Sequence, residues 1–298
     1  GLGSGAFGTG LTTGTNNVAV GENSGDALTA GTDNTLIGDN AGGALTDGDR
    51  NTAIGSSALL VATTPNNNTM VGANAGKAVT TGAANTGIGK DALLSLTTGA
   101  SNTAVGTTTL DALTTGDYNT GLGRSALSAN TTASNNTAVG YNSLLSNTTG
   151  DNAVAVGYNA GDSITTGGQN TLIGANSGDA LTEGGLNTAI GMHSLGGDTK
   201  GSRSTALGYS ALLAQNFTTA TNVYNVAVGY EAGAAVSTGT HNTFIGGLAA
   251  DANTTGYYNV AVGASALSAN TTAINNTAVG YAALTANTTG AENVAVGS

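Results

Sequence analysis

A 17-residue repeat runs through almost the whole sequence and decides what the chain can fold into. Each repeat contains an Asn-x-x-x-Gly-like motif. The glycines that end this motif lie at positions 21, 38, 55, 72, 89, 106, 123, 140, 157, 174, 191, 208, 229, 246, 263, 280 and 297. The interval is 17 residues everywhere except between Gly208 and Gly229, where it is 21. A disordered low-complexity segment has no reason to keep such a phase, so the repeat predicts a solenoid of stacked coils.

The residues around each motif glycine predict one short strand and a tight turn in every coil. The residue before the glycine is always Val, Ile or Leu, which with neighbouring Thr and a period of two is typical of a strand. Recurrent Thr-Thr-Gly segments predict turns, because glycine supplies the positive φ that tight turns need. The asparagines that begin the motif are expected to form a hydrogen-bonded ladder from coil to coil: Asn34, Asn51, Asn68, Asn85 and Asn102.

We therefore predict an all-β fold, a parallel β-solenoid (β-roll) of 17-residue coils. A single repeat domain is expected over residues 1–298, with about 17 coils and a four-residue insertion in the coil 209–229. Inside each coil, the fourth residue after the glycine is usually Gly or Leu, and the seventh varies with it. Gly25 accompanies Leu28, whereas Leu127 accompanies Asn130, as close packing at constant volume requires.

Composition limits the functions open to this chain. The 298 residues include no Cys, which excludes disulfides and thiolate metal sites. Six Lys and Arg stand against seventeen Asp and Glu, for a net charge of −11. This balance argues against nucleic acid or an anionic membrane as a partner, since both need clustered cations. No run of about 18 apolar residues occurs, so a membrane-spanning helix is not predicted.

The middle residue of each predicted strand suggests a surface for self-association. Neighbouring side chains in a strand face opposite ways, so we expect Val139 to point into the coil and Ala138 to point out of it. A strand that is apolar on both faces is normally buried on both, although a flat solvent face of small residues is the alternative. The residues predicted to form a subunit interface are Ala19, Leu36, Met70, Ala104, Ala138, Leu172, Phe244 and Ala261.

The repeat motif also resembles that of a known family. The units N-T-A-V-G-Y and N-V-A-V-G, followed by Ala three residues on, resemble the head repeats of YadA-like trimeric autotransporter adhesins, and are similar to repeats in bacteriophage tail-fibre shafts. The likeness covers Asn17 to Ser298, although the 17-residue coil is longer than the usual adhesin head repeat. The resemblance implies a β-roll in each subunit, a homotrimer, and a role in attachment at a cell or virion surface.

Aromatic residues mark two candidate ligand surfaces. Five tyrosines directly follow a motif glycine and are predicted to line one edge, where their rings can stack on sugars: Tyr141, Tyr158, Tyr209, Tyr230 and Tyr281. The alternative is that they only cover the apolar seam. The insertion contributes Phe217, because functional loops often interrupt regular scaffolds, although a tolerated insertion is equally consistent with the sequence.

The sequence contains no pattern that predicts catalysis, a cofactor or a metal. Gly3, Gly5 and Gly8 match G-x-G-x-x-G, but that fingerprint needs a preceding strand and a following helix. His193 and His241 lie in different coils without catalytic or metal-ligand spacing. Acidic residues near the start lack a calcium-loop spacing and are expected to form a solvated end: Glu22, Asp26, Asp33, Asp39, Asp47 and Asp49.

These observations predict a non-enzymatic rod of an extracellular fibre or surface adhesin, located at a cell surface or in a virion fibre. Its expected partners are copies of itself, stacked end to end into filaments, and a glycan or protein of a host surface. The alternative is an ice-binding β-solenoid, because Thr recurs at one turn position in rows such as Thr80, Thr97 and Thr114. Those threonines adjoin the turn glycine, whereas ice binding calls for a flat strand face.

Overall fold

The computed structural model describes residues 2–8, 10 and 12–298 of the chain. The chain comprises two compact units, Gly1–Thr149 and Gly150–Ser298, which we call the N-terminal and C-terminal units. Each is a parallel β-solenoid, and the described residues form strands, bridges, bends and turns but no helix.

Each coil contributes one short strand to the main sheet of its unit. In the N-terminal unit the strands are β1 (Val18–Val20), β2 (Thr35–Ile37), β3 (Thr52–Ile54), β4 (Thr69–Val71), β5 (Thr86–Ile88), β6 (Thr103–Val105), β7 (Thr120–Leu122) and β8 (Thr137–Val139). In the C-terminal unit they are β9 (Val154–Val156), β10 (Thr171–Ile173), β11 (Thr188–Ile190), β13 (Thr205–Leu207), β15 (Val226–Val228), β16 (Thr243–Ile245), β17 (Val260–Val262), β18 (Thr277–Val279) and β19 (Val294–Val296). A two-stranded sheet of β12 (Gly201–Ser202) and β14 (Thr221–Asn222) forms at the insertion.

Within each unit the main strands pair in parallel and in sequence order, one coil apart. Thr52 pairs with Thr69, for example, and Ile54 with Val71. The predicted all-β parallel solenoid with 17-residue coils is therefore confirmed. The single domain over residues 1–298 stays a prediction, and its Gly1, Thr9 and Leu11 lie outside the described residues.

Left-handed backbone conformations let a coil close within 17 residues. Besides the motif glycine, three positions per coil have φ near +60°; in the coil that follows Gly72 they are Asn74, Gly76 and Ala84, each with φ 58°. Asn recurs at the first of these positions because it tolerates this region better than most residues. Gly72 itself has φ 137°, and a Cβ there would lie 2.4 Å from the Gly89 carbonyl oxygen, so only glycine fits.

The predicted asparagine ladder is present and buried. The Oδ1 atom of Asn51 accepts hydrogen bonds from the backbone N–H and the side-chain amide of Asn68, at 3.1 and 3.3 Å, while Asn51 Nδ2 donates to the Pro65 carbonyl at 2.8 Å. Each ladder residue thus satisfies two backbone groups of the following coil, which would otherwise be unpaired inside the protein.

The predicted orientation of the strand residues is wrong. The middle residue of the strand points into the coil, and the residues flanking it point out. Phe244 is fully buried while its neighbour Ile245 is 40% exposed. All the residues predicted to form a subunit interface are at most 2% exposed within the single chain, so they belong to its core: Ala19, Leu36, Met70, Ala104, Ala138, Leu172, Phe244 and Ala261.

Size compensation inside the coil explains this orientation. Where the middle strand residue is large, a glycine faces it from its own coil or from the preceding one. A Cβ on Gly42 would lie 2.8 Å from Leu36 of the same coil, and one on Gly233 would lie 2.8 Å from Phe244 of the next coil. Where the residue six positions after the middle strand residue is Leu, as in Leu110, the middle residue is Ala or Gly. The large apolar residues in the middle of the strands therefore fill gaps in the core.

Replacing Phe244 with Ala should destabilise the protein by about 3–5 kcal/mol, because the coil cannot collapse onto the cavity left behind. Replacing Ile245 with Ala, its exposed neighbour in β16, should cost about 1 kcal/mol or less. Denaturant unfolding of both variants measures the difference, and the reverse order would contradict the observed orientation of the strand.

Candidate functional site

The first and third residues of the main strands form an uncharged outer sheet face on each unit. In the N-terminal unit the first column is Val18, Thr35, Thr52, Thr69, Thr86, Thr103, Thr120 and Thr137, and the third is Val20, Ile37, Ile54, Val71, Ile88, Val105, Leu122 and Val139. In the C-terminal unit the columns are Val154, Thr171, Thr188, Thr205, Val226, Thr243, Val260, Thr277 and Val294, and Val156, Ile173, Ile190, Leu207, Val228, Ile245, Val262, Val279 and Val296.

This outer sheet face is regular and partly apolar. Its strands pair in register, so like residues repeat at the strand spacing of about 4.8 Å. The third column leaves sizeable hydrophobic side chains in solvent, with Ile37, Ile88 and Ile245 36%, 40% and 40% exposed. The face therefore presents rows of methyl groups beside rows of threonine hydroxyls, with no charge among them.

The turn threonines have a different role from the strand threonines. Thr80 donates its hydroxyl to the Thr97 carbonyl at 3.1 Å, and Thr97 donates to the Thr114 carbonyl at 3.0 Å. These hydroxyls hold one coil on the next. The threonine rows that suggested ice binding are thus used in hydrogen bonds between coils, whereas the strand threonines face outward.

The five tyrosines after the motif glycine are exposed, and three of them, Tyr141, Tyr209 and Tyr230, contact other side chains. Tyr209 and Tyr230 stack with ring centroids 5.4 Å apart and planes 10° from parallel, while His193 meets Tyr209 edge-on. The Arg124 guanidinium lies 5.8 Å from the centroid of the Tyr141 ring. Each of the two stacked rings covers one face of the other, so at most the outer faces of the Tyr209–Tyr230 stack are open to a sugar. Tyr158 and Tyr281 are 55% and 69% exposed.

A second aromatic row was not predicted. The Arg203 guanidinium lies 5.9 Å from the Tyr224 ring centroid. The His241 ring centroid lies 5.3 Å from that of Tyr224 and 5.0 Å from that of Tyr258. The rings recur at the position just before the ladder asparagine, a periodicity the sequence displays. Tyr224 and Tyr230 lie two residues before and two residues after β15, so aromatic side chains flank the outer sheet face there.

The insertion is anchored by a buried polar network. The Asp198 carboxylate accepts hydrogen bonds from the backbone N–H groups of Gly201 and Phe217, both at 3.0 Å, and from Gln215 Nε2 at 2.6 Å. Gln215 also accepts from the side-chain amide of Asn225 at 2.9 Å. Phe217 is only 8% exposed, so its predicted part in a ligand surface is wrong: its side chain is buried.

Two neighbouring carboxyls of the C-terminal unit are perturbed. Burial raises the pKa of the Asp179 carboxyl, and the negative charge of Asp162 in the preceding coil raises it further. Burial is also the main cause that raises the pKa of Asp162. Asp49, by contrast, accepts hydrogen bonds from the Thr32 backbone N–H at 2.8 Å and its hydroxyl at 3.0 Å, and these bonds lower the pKa of Asp49.

Replacing Asp179 with Asn should stabilise the protein at pH 7. A carboxyl whose folded pKa is raised favours the native state when it is protonated; that contribution is present below the ordinary value of 3.8 and lost as the pH rises through the folded value. The gain should therefore vanish in acid, as thermal melts across pH 3–7 would record.

Asp49 provides the matched control. Its lowered pKa stabilises the native state above the ordinary value and the effect is lost on acidification, so Asp49→Asn should be slightly destabilising at pH 7 and neutral in acid. The same sign for both variants would contradict the environments described here.

Two further kinds of site are missing from the described residues. Over 2–8, 10 and 12–298 no group of three or more His, Cys, Asp or Glu side chains is placed to hold a metal ion. In the same part of the chain no helix has the length and hydrophobicity to cross a membrane.

Comparison with known proteins does not place the chain in a family. No family model matches the sequence. No curated protein shows significant similarity to it.

Proposed function

We propose that this chain is a structural segment of an extracellular fibre or surface adhesin, whose copies associate through the outer sheet face. The observation that carries the proposal is the third column of that face, where Ile88 is 40% exposed and Leu122 37% exposed in an isolated chain. A regular apolar stripe of this kind marks an association surface. Strands with apolar residues on both faces are normally covered on both.

The partner that fits this face is another copy of the same chain. The face is uncharged and repeats at one spacing, so an identical face or coil edge matches it layer by layer. Three copies is the number that the resemblance to YadA-like head repeats implies, with the Val and Ile column, not the strand-middle residues, at the shared axis. A glycan or protein of a host surface would then be met at the exposed tyrosines.

End-to-end stacking of copies extends the same proposal. Successive coils pair in parallel at one repeating register, as β3 does with β4, and a second copy presents the same repeating pattern. The function is mechanical and non-enzymatic: hydrogen-bonded coils hold adhesive surfaces at a distance.

Lysines on the outer sheet face should prevent association. We expect the wild type to be oligomeric by light scattering and the double variant Ile88→Lys, Leu122→Lys to be monomeric, because the association would bury unpaired charges. The control places the same charges on exposed turns of the same coils, Thr81→Lys with Thr115→Lys, and should remain oligomeric. A wild type that stays monomeric at every concentration would rule out this use of the face.

Ice binding is the second candidate, and one observation favours it. Strand threonines such as Thr86 and Thr103 face outward in register beside Ile88 and Val105, so hydroxyl and methyl rows share a regular surface. The hydrogen-bonded turn threonines give no such support.

A thermal-hysteresis measurement separates the two functions. If copies of the chain cover the face, we expect no hysteresis from the wild type. Activity that is lost in Thr103→Lys and kept in Thr81→Lys would replace the fibre function with ice binding.

A further inference from the structure

Tyr209 and Tyr230 bring two oxidisable phenols together across neighbouring coils. Their rings are nearly parallel with centroids 5.4 Å apart, and the residues are 41% and 55% exposed, so a small oxidant reaches both. Each follows a motif glycine, at Gly208 and Gly229, and the segment between them is the coil that carries the insertion. The stack therefore brackets the one irregular coil.

The surroundings of Tyr230 favour its oxidation. The hydrogen bond that its hydroxyl donates to the Glu231 carboxylate, together with the negative charge of that group, raises the pKa of the Tyr230 phenol. The Glu231 carboxylate is thus a base next to the Tyr230 hydroxyl. When an electron leaves the ring, the carboxylate can accept the proton, which gives a neutral phenoxyl radical.

We infer that Tyr209 and Tyr230 are a site of oxidative cross-linking, at which a peroxide and a one-electron catalyst join them as dityrosine. Each phenol loses one electron and one proton, and the two radicals form a carbon–carbon bond between ortho positions. The ortho hydrogens then move to the oxygens, which restores both aromatic rings. The two electrons and two protons reduce one hydrogen peroxide to two waters, so the step balances.

Other oxidisable groups are less suited to this coupling. Tyr224 and Tyr258 are separated by the His241 ring, while Tyr257 and Tyr258 meet edge to face, at 77°. The chain has no Cys and no Trp to compete for the oxidant. Met192, 44% exposed, can take up oxygen but cannot form the link.

The dityrosine link would be a covalent bond between neighbouring coils. It closes the loop that runs from Tyr209 to Tyr230, which limits the freedom of the unfolded chain in the way a disulfide does. The insertion coil lacks the standard length of the others, and the link would hold the strands on either side of it, β13 and β15, in register.

The test treats the full chain with limiting hydrogen peroxide and a peroxidase, then measures dityrosine fluorescence and maps linked peptides by mass spectrometry. We expect one species lighter by two hydrogens that joins the peptides of Tyr209 and Tyr230, formed within one chain at a rate independent of protein concentration. Its melting temperature should exceed that of the untreated protein. Links that map elsewhere, or chiefly between chains, would overturn the inference.

Conservative variants separate the chemistry from the fold. Tyr209→Phe and Tyr230→Phe keep the stacked rings and the melting temperature of the untreated protein, yet fluorescence after treatment should fall to the untreated level. Tyr281→Phe removes an exposed tyrosine that follows another motif glycine and should leave the yield unchanged. Glu231→Gln should slow the reaction without abolishing it. Full yield in Tyr209→Phe, or none in the wild type, would refute the site.

Discussion

Hydrogen bonding between each coil and the next is the interaction on which the rest of the structure depends. Turn threonines and buried asparagines bond to the equivalent residue one coil away, as Asn51 does to Asn68, and strand residues pair in register with theirs. With so few aromatic side chains, a coil has little core of its own, so its stability comes from its neighbours. The register of the stacked coils is fixed by side chains that recur at set positions of the repeat, and not by the amount of buried apolar surface.

The fold could be predicted from the sequence because the 17-residue period of the sequence is a consequence of the stacking of coils. A phase kept over so many repeats has no other simple cause, and the ladder asparagines follow from it. The orientation of the strand was harder to predict, since Ala and Val both suit either side of a thin coil. The decisive signal was size: Leu36 and Met70 precede Gly42 and Gly76, whereas Ala104 precedes Leu110. The two residues of such a pair lie six positions apart, and their complementary sizes indicate that both side chains point into the core of the coil.

The candidate surfaces were only partly predictable. The tyrosines were found by their position, but whether a ring is free or stacked depends on the side chain one coil away, as for Tyr209 and Tyr230. Phe217 looked like a projecting residue because it lies in the insertion, yet the buried Asp198 carboxylate binds its backbone and turns the segment inward. Local sequence does not contain that long-range contact. The outer sheet face became visible only once the direction of the strand residues was known.

Large side chains of one coil fill space left by glycines of a neighbouring coil, and this has an evolutionary consequence. Leu36 occupies space left by glycine both in its own coil, at Gly42, and in the preceding one, at Gly25. A coil is therefore shaped to its neighbours, and a tandem duplication survives only when the copied segment is complementary to itself. Lengthening by duplication should favour coils with Ala in the strand, while coils with Phe or Met are inherited together with their glycine-bearing neighbours.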